Sequence, residues 1–136
     1  RVTVTVFIDE SASISTQTTV RFINELTGLT RAYELVLTIL PFDAAVHDSI
    51  TLSSPSQAAE KLHARHVGGG TSFQSVFDYL KHDRLQTPTS LIVILTDGEG
   101  ETNIDAHGYH RVLWVLVGQQ ELSVQTPPGW VANINE

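Results

Sequence analysis

The chain of 136 residues, 41% hydrophobic and 17% charged, is long enough to bury its own core as a single domain. A net charge of −7 with eight scattered basic residues excludes a nucleic-acid backbone as the natural partner, because that binding needs clustered Lys and Arg. The absence of cysteine excludes disulfides, zinc–thiolate sites and a cysteine nucleophile. No apolar run reaches the ~18 residues of a bilayer span and no signal peptide is visible, so no membrane partner and a cytoplasmic setting are expected. The sequence starts at Arg1 and holds no methionine, which reads as one domain, residues 1–136, excised from a longer protein.

Val2–Ile8 places Val2, Val4, Val6 and Ile8 on one face and Thr3, Thr5 and Phe7 on the other. A strand β-branched or apolar on both faces belongs in the middle of a parallel sheet. It runs into Asp9-Glu10-Ser11-Ala12-Ser13. In open α/β sheets that carboxyl end of a central strand is where ligands bind. Asp9, Ser11 and Ser13 set three oxygen-bearing side chains on one loop, the donor type that a hard cation such as Mg²⁺ takes. Ser15 or Thr16 then caps a helix over 16–31, with Val20, Ile23 and Leu26 or Thr27 near helical spacing and Gly28 a weak point.

Residues 34–42 form a second strand, in which Pro41 lacks a donor near the end. Asp43 reads as a turn residue, with tuning of a nearby site as the lesser alternative. Val46–Leu52 returns as an antiparallel edge strand that His47 and Asp48 protect. Ser53-Ser54-Pro55-Ser56 opens a short helix over 56–64. The run Gly68-Gly69-Gly70 predicts close backbone approach or a bound group. Phe73, Val76, Phe77 and Leu80 then give an amphipathic helix over 73–83.

Leu91–Thr96 is another buried strand, delivered into Asp97-Gly98. Residues 98–109 are polar and too short for a full crossover helix; Glu10 reads as a rim charge between the candidate ligands, and Glu99 and Glu101 as solvated loop residues. Arg111–Val117 is a strand stopped by Gly118, residues 119–129 an extended linker, and Trp130–Ile134 a last short strand. Trp114 and Phe77 read as core, and Trp130 as packing on that last strand. The order predicts an α/β fold: a Rossmann-like, open, mostly parallel sheet with one antiparallel edge strand and helices on both faces.

Asp9, Ser11 and Ser13, Thr71 after the glycine run, and Asp97 after a buried strand all fall where they can reach one sheet edge. On these three motifs the chain resembles the von Willebrand factor A (VWA) domain with its metal-ion-dependent adhesion site (MIDAS). That resemblance implies that Asp9, Ser11, Ser13, Thr71 and Asp97 hold Mg²⁺, with Mn²⁺ or Ca²⁺ as alternatives, and that an Asp or Glu of a protein partner completes the coordination. The physics agrees: neutral hydroxyls leave the cation under-neutralised, so an incoming carboxylate is attracted. Leu91–Gly100, the short segment before Tyr109–Leu116, Gly68–Phe73 and Pro127-Pro128-Gly129-Trp130 look like the prokaryotic VWA-like branch. Its members carry this domain at the C-terminus, behind a metallopeptidase-like region, and associate with MoxR-type AAA+ ATPases. This branch lacks the helices that adhesive A domains carry between their later strands, so neither helix-shift signalling nor cell adhesion is carried over.

Other chemistries fit less well. Val6-Phe7-Ile8-Asp9-Glu10 imitates a Walker B strand, but no Gly-x-x-x-x-Gly-Lys-[Ser/Thr] loop exists. A dehalogenase-type phosphatase wants a second aspartate where Ser11 stands. No Gly-x-Ser-x-Gly elbow is present. His63-x-x-His66 has metal-site spacing without an evident third ligand, and reads as two surface histidines. The expectation is therefore a non-enzymatic, divalent-cation-dependent interaction module. A metal-assisted hydrolase on the same oxygens and a metal-free structural domain with a degenerate site are the rivals.

Overall fold

The computed structural model describes residues 2–10, 14–33, 35–49, 70–83, 87–118 and 121–134. Five strands, β1 (Val2–Asp9), β2 (Leu35–Phe42), β3 (Leu91–Thr96), β4 (Val112–Val117) and β5 (Trp130–Ile134), join two helices, α1 (Thr16–Tyr33) and α2 (Phe73–His82). The sheet order is β2-β1-β3-β4-β5, and every pair is parallel. The α/β, Rossmann-like class expected from the sequence is the observed one, with a single amendment. No antiparallel edge strand forms among the described residues. Phe42 and Val46 make one isolated antiparallel bridge, and residues 47–49 continue without strand structure. The cause is Asp43, whose carboxylate accepts from the Ala45 amide at 3.1 Å and bonds the His47 ring at 3.0 Å, curling the chain into a turn. Residues 50–52, the expected helix over 56–64, His63 and His66 lie outside the described residues.

The helices obey their sequence signals. Ser15 Oγ accepts from the Thr18 amide at 3.1 Å, which is N-cap geometry. Helix α1 runs through Gly28, beside which an added methyl would meet nothing within 4 Å. Its buried face is Thr19, Ile23 and Leu26. On α2 the four expected positions, Phe73, Val76, Phe77 and Leu80, are all fully buried. Pro41 is tolerated because β2 is an edge strand and pairs only with β1.

Two cores result, one on each face of the sheet. Val4, Val6, Ile8, Ile39, Leu95, Val115 and Val117 pack under Ile23 and Leu26 of α1. On the other face Phe7, Leu40, Ile92, Ile94 and Trp114 pack under α2, together with Tyr109 and Val124. The chirality rule explains the division. The β1→β2 connection moves one way across the sheet, whereas β2→β3, β3→β4 and β4→β5 move the other way. Right-handed crossovers therefore put α1 on the first face and, among the described residues, α2 and the later connections on the second.

The β3→β4 crossover has no helix, as its length predicted, and is fastened to α2 by side chains instead. The Asp105 amide donates to Gln74 Oε1 at 2.7 Å, and Gln74 Nε2 donates to the Asp105 carbonyl at 2.9 Å. The His107 ring bonds Asp78 at 2.7 Å, and Tyr109 Oη donates to the Leu80 carbonyl at 2.9 Å. The β4→β5 connection ends at Gly129 (φ +80°), where an added methyl would overlap the Val112 carbonyl.

One smaller expectation fails. Trp130 is 63% exposed, because β5 is an edge strand and α1 does not reach across to it. At Gly70 an added methyl would meet nothing within 4 Å, so no close approach demands that glycine; Gly68 and Gly69 lie outside the described residues.

Candidate metal centre

Parallel neighbours end at the same edge of the sheet. Strands β1 and β3 are neighbours, yet the chain leaves β1 toward β2 on the opposite side. Connections diverge here, and this topological switch point opens a crevice beyond the strand ends. Asp9 closes β1 and Thr96 closes β3, so both project into that crevice's floor.

Thr96 Oγ1 donates to Asp9 Oδ2 at 2.6 Å and accepts from the Gly98 amide at 3.1 Å. Thr71 Oγ1 lies 3.5 Å from both carboxylate oxygens of Asp9. Asp9 is only 2% exposed, whereas Thr71 and Asp97 are half-buried. Asp97 Oδ1 accepts from the Glu99 amide at 3.0 Å, an Asx turn that fixes the residue just beyond β3. Gly98 (φ +92°) makes that turn possible, and a methyl there would stand 2.7 Å from the Glu121 carbonyl oxygen. Thus Asp9 and Thr71 meet directly, and Asp97 follows Thr96, which contacts Asp9. Ser11 and Ser13 lie outside the described residues.

Thr71 is placed by what surrounds it. The Ser72 amide donates to the Asp43 carbonyl at 2.8 Å, tying the loop to the end of β2. Ser72 Oγ accepts from the Ser75 amide at 3.1 Å and caps α2. Glu101 completes the cap: its carboxylate accepts from the amides of Phe73 at 2.8 Å and Gln74 at 2.9 Å. Glu101 is therefore not the solvated loop charge the sequence indicated, although Glu99 is exposed as expected. Carboxylates at a helix start satisfy otherwise orphaned amides and meet the positive end of the dipole. Glu10, read as a rim charge, is 8% exposed, with its amide donating to the Phe42 carbonyl at 2.8 Å.

Asp43 is the turn residue expected, and it also does more. Burial pushes its carboxyl up, but the Ala45 amide, the His47 ring and the Ala44 amide together outweigh burial and hold it below the usual range. A carboxylate kept ionised in this way keeps the turn closed, and the turn presents the carbonyl that holds Ser72.

Replacing Glu101 by Ala removes two charge-assisted bonds at the start of α2, and should cost about 1–2 kcal/mol in urea unfolding. Glu101→Gln, which keeps an acceptor, should lose less than Ala. An Ala variant as stable as the parent would mean that the cap contributes nothing.

The donor set fits a hard divalent cation: a buried carboxylate, a second aspartate and threonine hydroxyls, all oxygen. Among the described residues there is no group of three or more His, Cys, Asp or Glu. Instead the Thr71 and Thr96 hydroxyls converge on Asp9, and Asp97 follows one residue beyond Thr96. Thr96 is the residue that sequence reading passed over. Its signal was present, as the only polar residue of Leu91–Thr96, at the strand's last position.

A family model described as "VWA-like domain (DUF2201)" matches residues 4–135. None of the curated proteins compared with the chain matches it. Among solved structures, an aerotolerance-related membrane protein from Bacteroides fragilis superposes with a TM-score of 0.57 at 16% identity, covering 87% of this chain and 67% of that one. At that identity the likeness speaks for the fold alone.

Proposed function

Because the chain belongs to the VWA-like (DUF2201) family, we propose that it is a divalent-cation-dependent protein-interaction module rather than an enzyme. The observation that carries this reading is Asp9: a buried carboxylate at the switch point, with Thr71 and Thr96 hydroxyls converging on it. Asp9, Thr71 and Asp97, with Ser11 and Ser13, would hold Mg²⁺, with Mn²⁺ or Ca²⁺ as alternatives. The bound cation would supply an electrophilic position for an Asp or Glu side chain of a protein partner. The protein's own residues set up that chemistry. Asp9 and Asp97 bring one charge each and the hydroxyls bring none, so the protein's ligands would at most balance the cation and leave an oxygen position for the partner's carboxylate. Asp43 and Glu101 position Thr71 through the Ser72 turn.

The resemblance to the prokaryotic VWA-like branch extends the proposal in three ways. The partner would be a MoxR-type AAA+ ATPase, the domain would stand behind a metallopeptidase-like region, and the setting would be cytoplasmic. The described residues contain no helix long and apolar enough to cross a membrane.

Calorimetric titration of Mg²⁺ and Mn²⁺ into the domain tests the proposal, with Asp97→Ala as control. Saturable binding that the control loses is the expected result. Equal heats in both proteins would remove Asp97 from the site.

A further inference from the structure

Among the described residues the face of the sheet under α1 is only half covered. Helix α1 packs over β1 and β2, and beyond it Leu91 and Val93 of β3 are half-buried, while Leu113 of β4 is 37% and Trp130 of β5 63% exposed. These side chains floor an open apolar groove of about 680 Å³, walled by Arg21, Phe22 and Glu25 of α1. The topology favours it, since α2 and the described parts of the later connections pack on the other face. Parallel sheets are normally covered on both faces.

We infer that this groove docks one amphipathic helix of a partner protein, apolar on the face it buries and acidic at its borders. The dimensions select a helix. From β3 to β5 is two strand spacings, about 10 Å, and a helix with its side chains is about 10–12 Å across. A helix laid there would continue the layer that α1 begins. The charge selects an acidic one. The protein has net charge −7 and only eight basic residues, yet two of them, Arg21 on the groove's wall and Arg111 where β4 starts, line the groove against one acid, Glu25. Arg111 is already oriented, its Nη1 donating to the Thr89 carbonyl at 3.3 Å. Thr18, Arg21, Phe22 and Glu25 follow one another at i, i+3, i+4 and i+7, so a single stripe of α1 forms the wall. Apolar anchors in a groove with a charged rim are the helix-in-groove mode of recognition.

The groove runs along β3, β4 and β5 from Leu91, Leu113 and Trp130 to Ile134, and its lining includes none of Asp9, Thr71, Thr96 and Asp97. This surface is thus separate from the candidate metal centre. A displayed library of 14-residue helical peptides, selected on the protein, tests it. The selected peptides should share an apolar i, i+3, i+4, i+7 stripe with flanking Asp or Glu. Leu113→Asp should weaken the best of them at least ~10-fold, and Arg21→Glu with Arg111→Glu several-fold in a salt-dependent manner. Asp9→Asn should leave peptide binding unchanged. Leu113 is partly exposed, so its variant is expected to keep the parental melting profile. Three results would overturn the inference: a selection with no helical consensus, consensus peptides indifferent to the arginine reversals, or a concentration-dependent dimer that Leu113→Asp abolishes. The last would give the groove to a second copy of this chain.

Discussion

Asp9→Asn is expected to lower Mg²⁺ affinity by roughly a hundredfold or more, while leaving the fold in place. The substitution is nearly isosteric and keeps an oxygen to accept the Thr96 hydroxyl, which donates at 2.6 Å. What it removes is a charge buried at the switch point, where Asp9 is 2% exposed. In a site made otherwise of hydroxyls and one half-buried aspartate, that charge supplies much of the attraction for a dication. Loss of an outer partner of a metal ligand costs about 10–100-fold, so losing a ligand's charge should cost at least the upper end. Thr96→Val separates orientation from charge. It deletes the donor to Asp9 and the acceptor of the Gly98 amide, and should weaken Mg²⁺ by about tenfold. Calorimetry gives both numbers. Parental affinity in Asp9→Asn would dissociate the buried carboxylate from cation binding.

Trp114→Ala should cost about 3–5 kcal/mol, the range for removing a large aromatic from a packed core. Trp114 is fully buried on β4 and meets Phe73 edge-on, with ring centroids 5.2 Å apart, and Phe77 at 6.0 Å. Its indole Nε1 also donates to the Pro128 carbonyl at 3.0 Å, tying the β4→β5 connection to the core. Deleting the side chain therefore opens a cavity under α2 and orphans a carbonyl in one step. The melting temperature should fall by more than about 10 °C. Trp114→Phe, which fills part of the space but lacks the donor, should fall between parent and Ala. A Trp114→Ala protein within about 1 kcal/mol of the parent in urea unfolding would show that the aromatic cluster is not the core it looks to be.

The central strands and α2 were legible because their patterns admit one reading. Leu91–Thr96 is apolar on both faces, and Phe73, Val76, Phe77 and Leu80 repeat at helical spacing; the model places both elements within a residue or so of their expected bounds. Asp9 and Thr71, separated by 62 positions, were legible as partners because strand ends and the loops after them share one edge of a parallel sheet. The unread features depend on geometry that no local pattern carries. The alternation of 46–52 looks like a strand, but its described part, 46–49, makes a single bridge to Phe42, with the Asp43 carboxylate holding Ala45 and His47 in a turn. Glu101 lies in a polar loop and resembles any surface acid, yet the crossover carries it to the amides of α2, 28 residues earlier in the chain. Trp130 beside two prolines looked like packing, and only the handedness of the crossovers leaves its face uncovered. Thr96 was read as a strand residue because its hydroxyl gains meaning only once β1 lies alongside β3.

The most direct measurement is a series of Mg²⁺ titrations of the unmodified protein at rising concentrations of acetate, a minimal stand-in for a partner's carboxylate. Two ligands that share one cation must strengthen each other's binding by the same factor. The account predicts that Mg²⁺ affinity rises with acetate until it saturates, and that Asp9→Asn shows no such rise. An Mg²⁺ affinity that is unchanged or lowered across the acetate series would contradict a cation-borne carboxylate site.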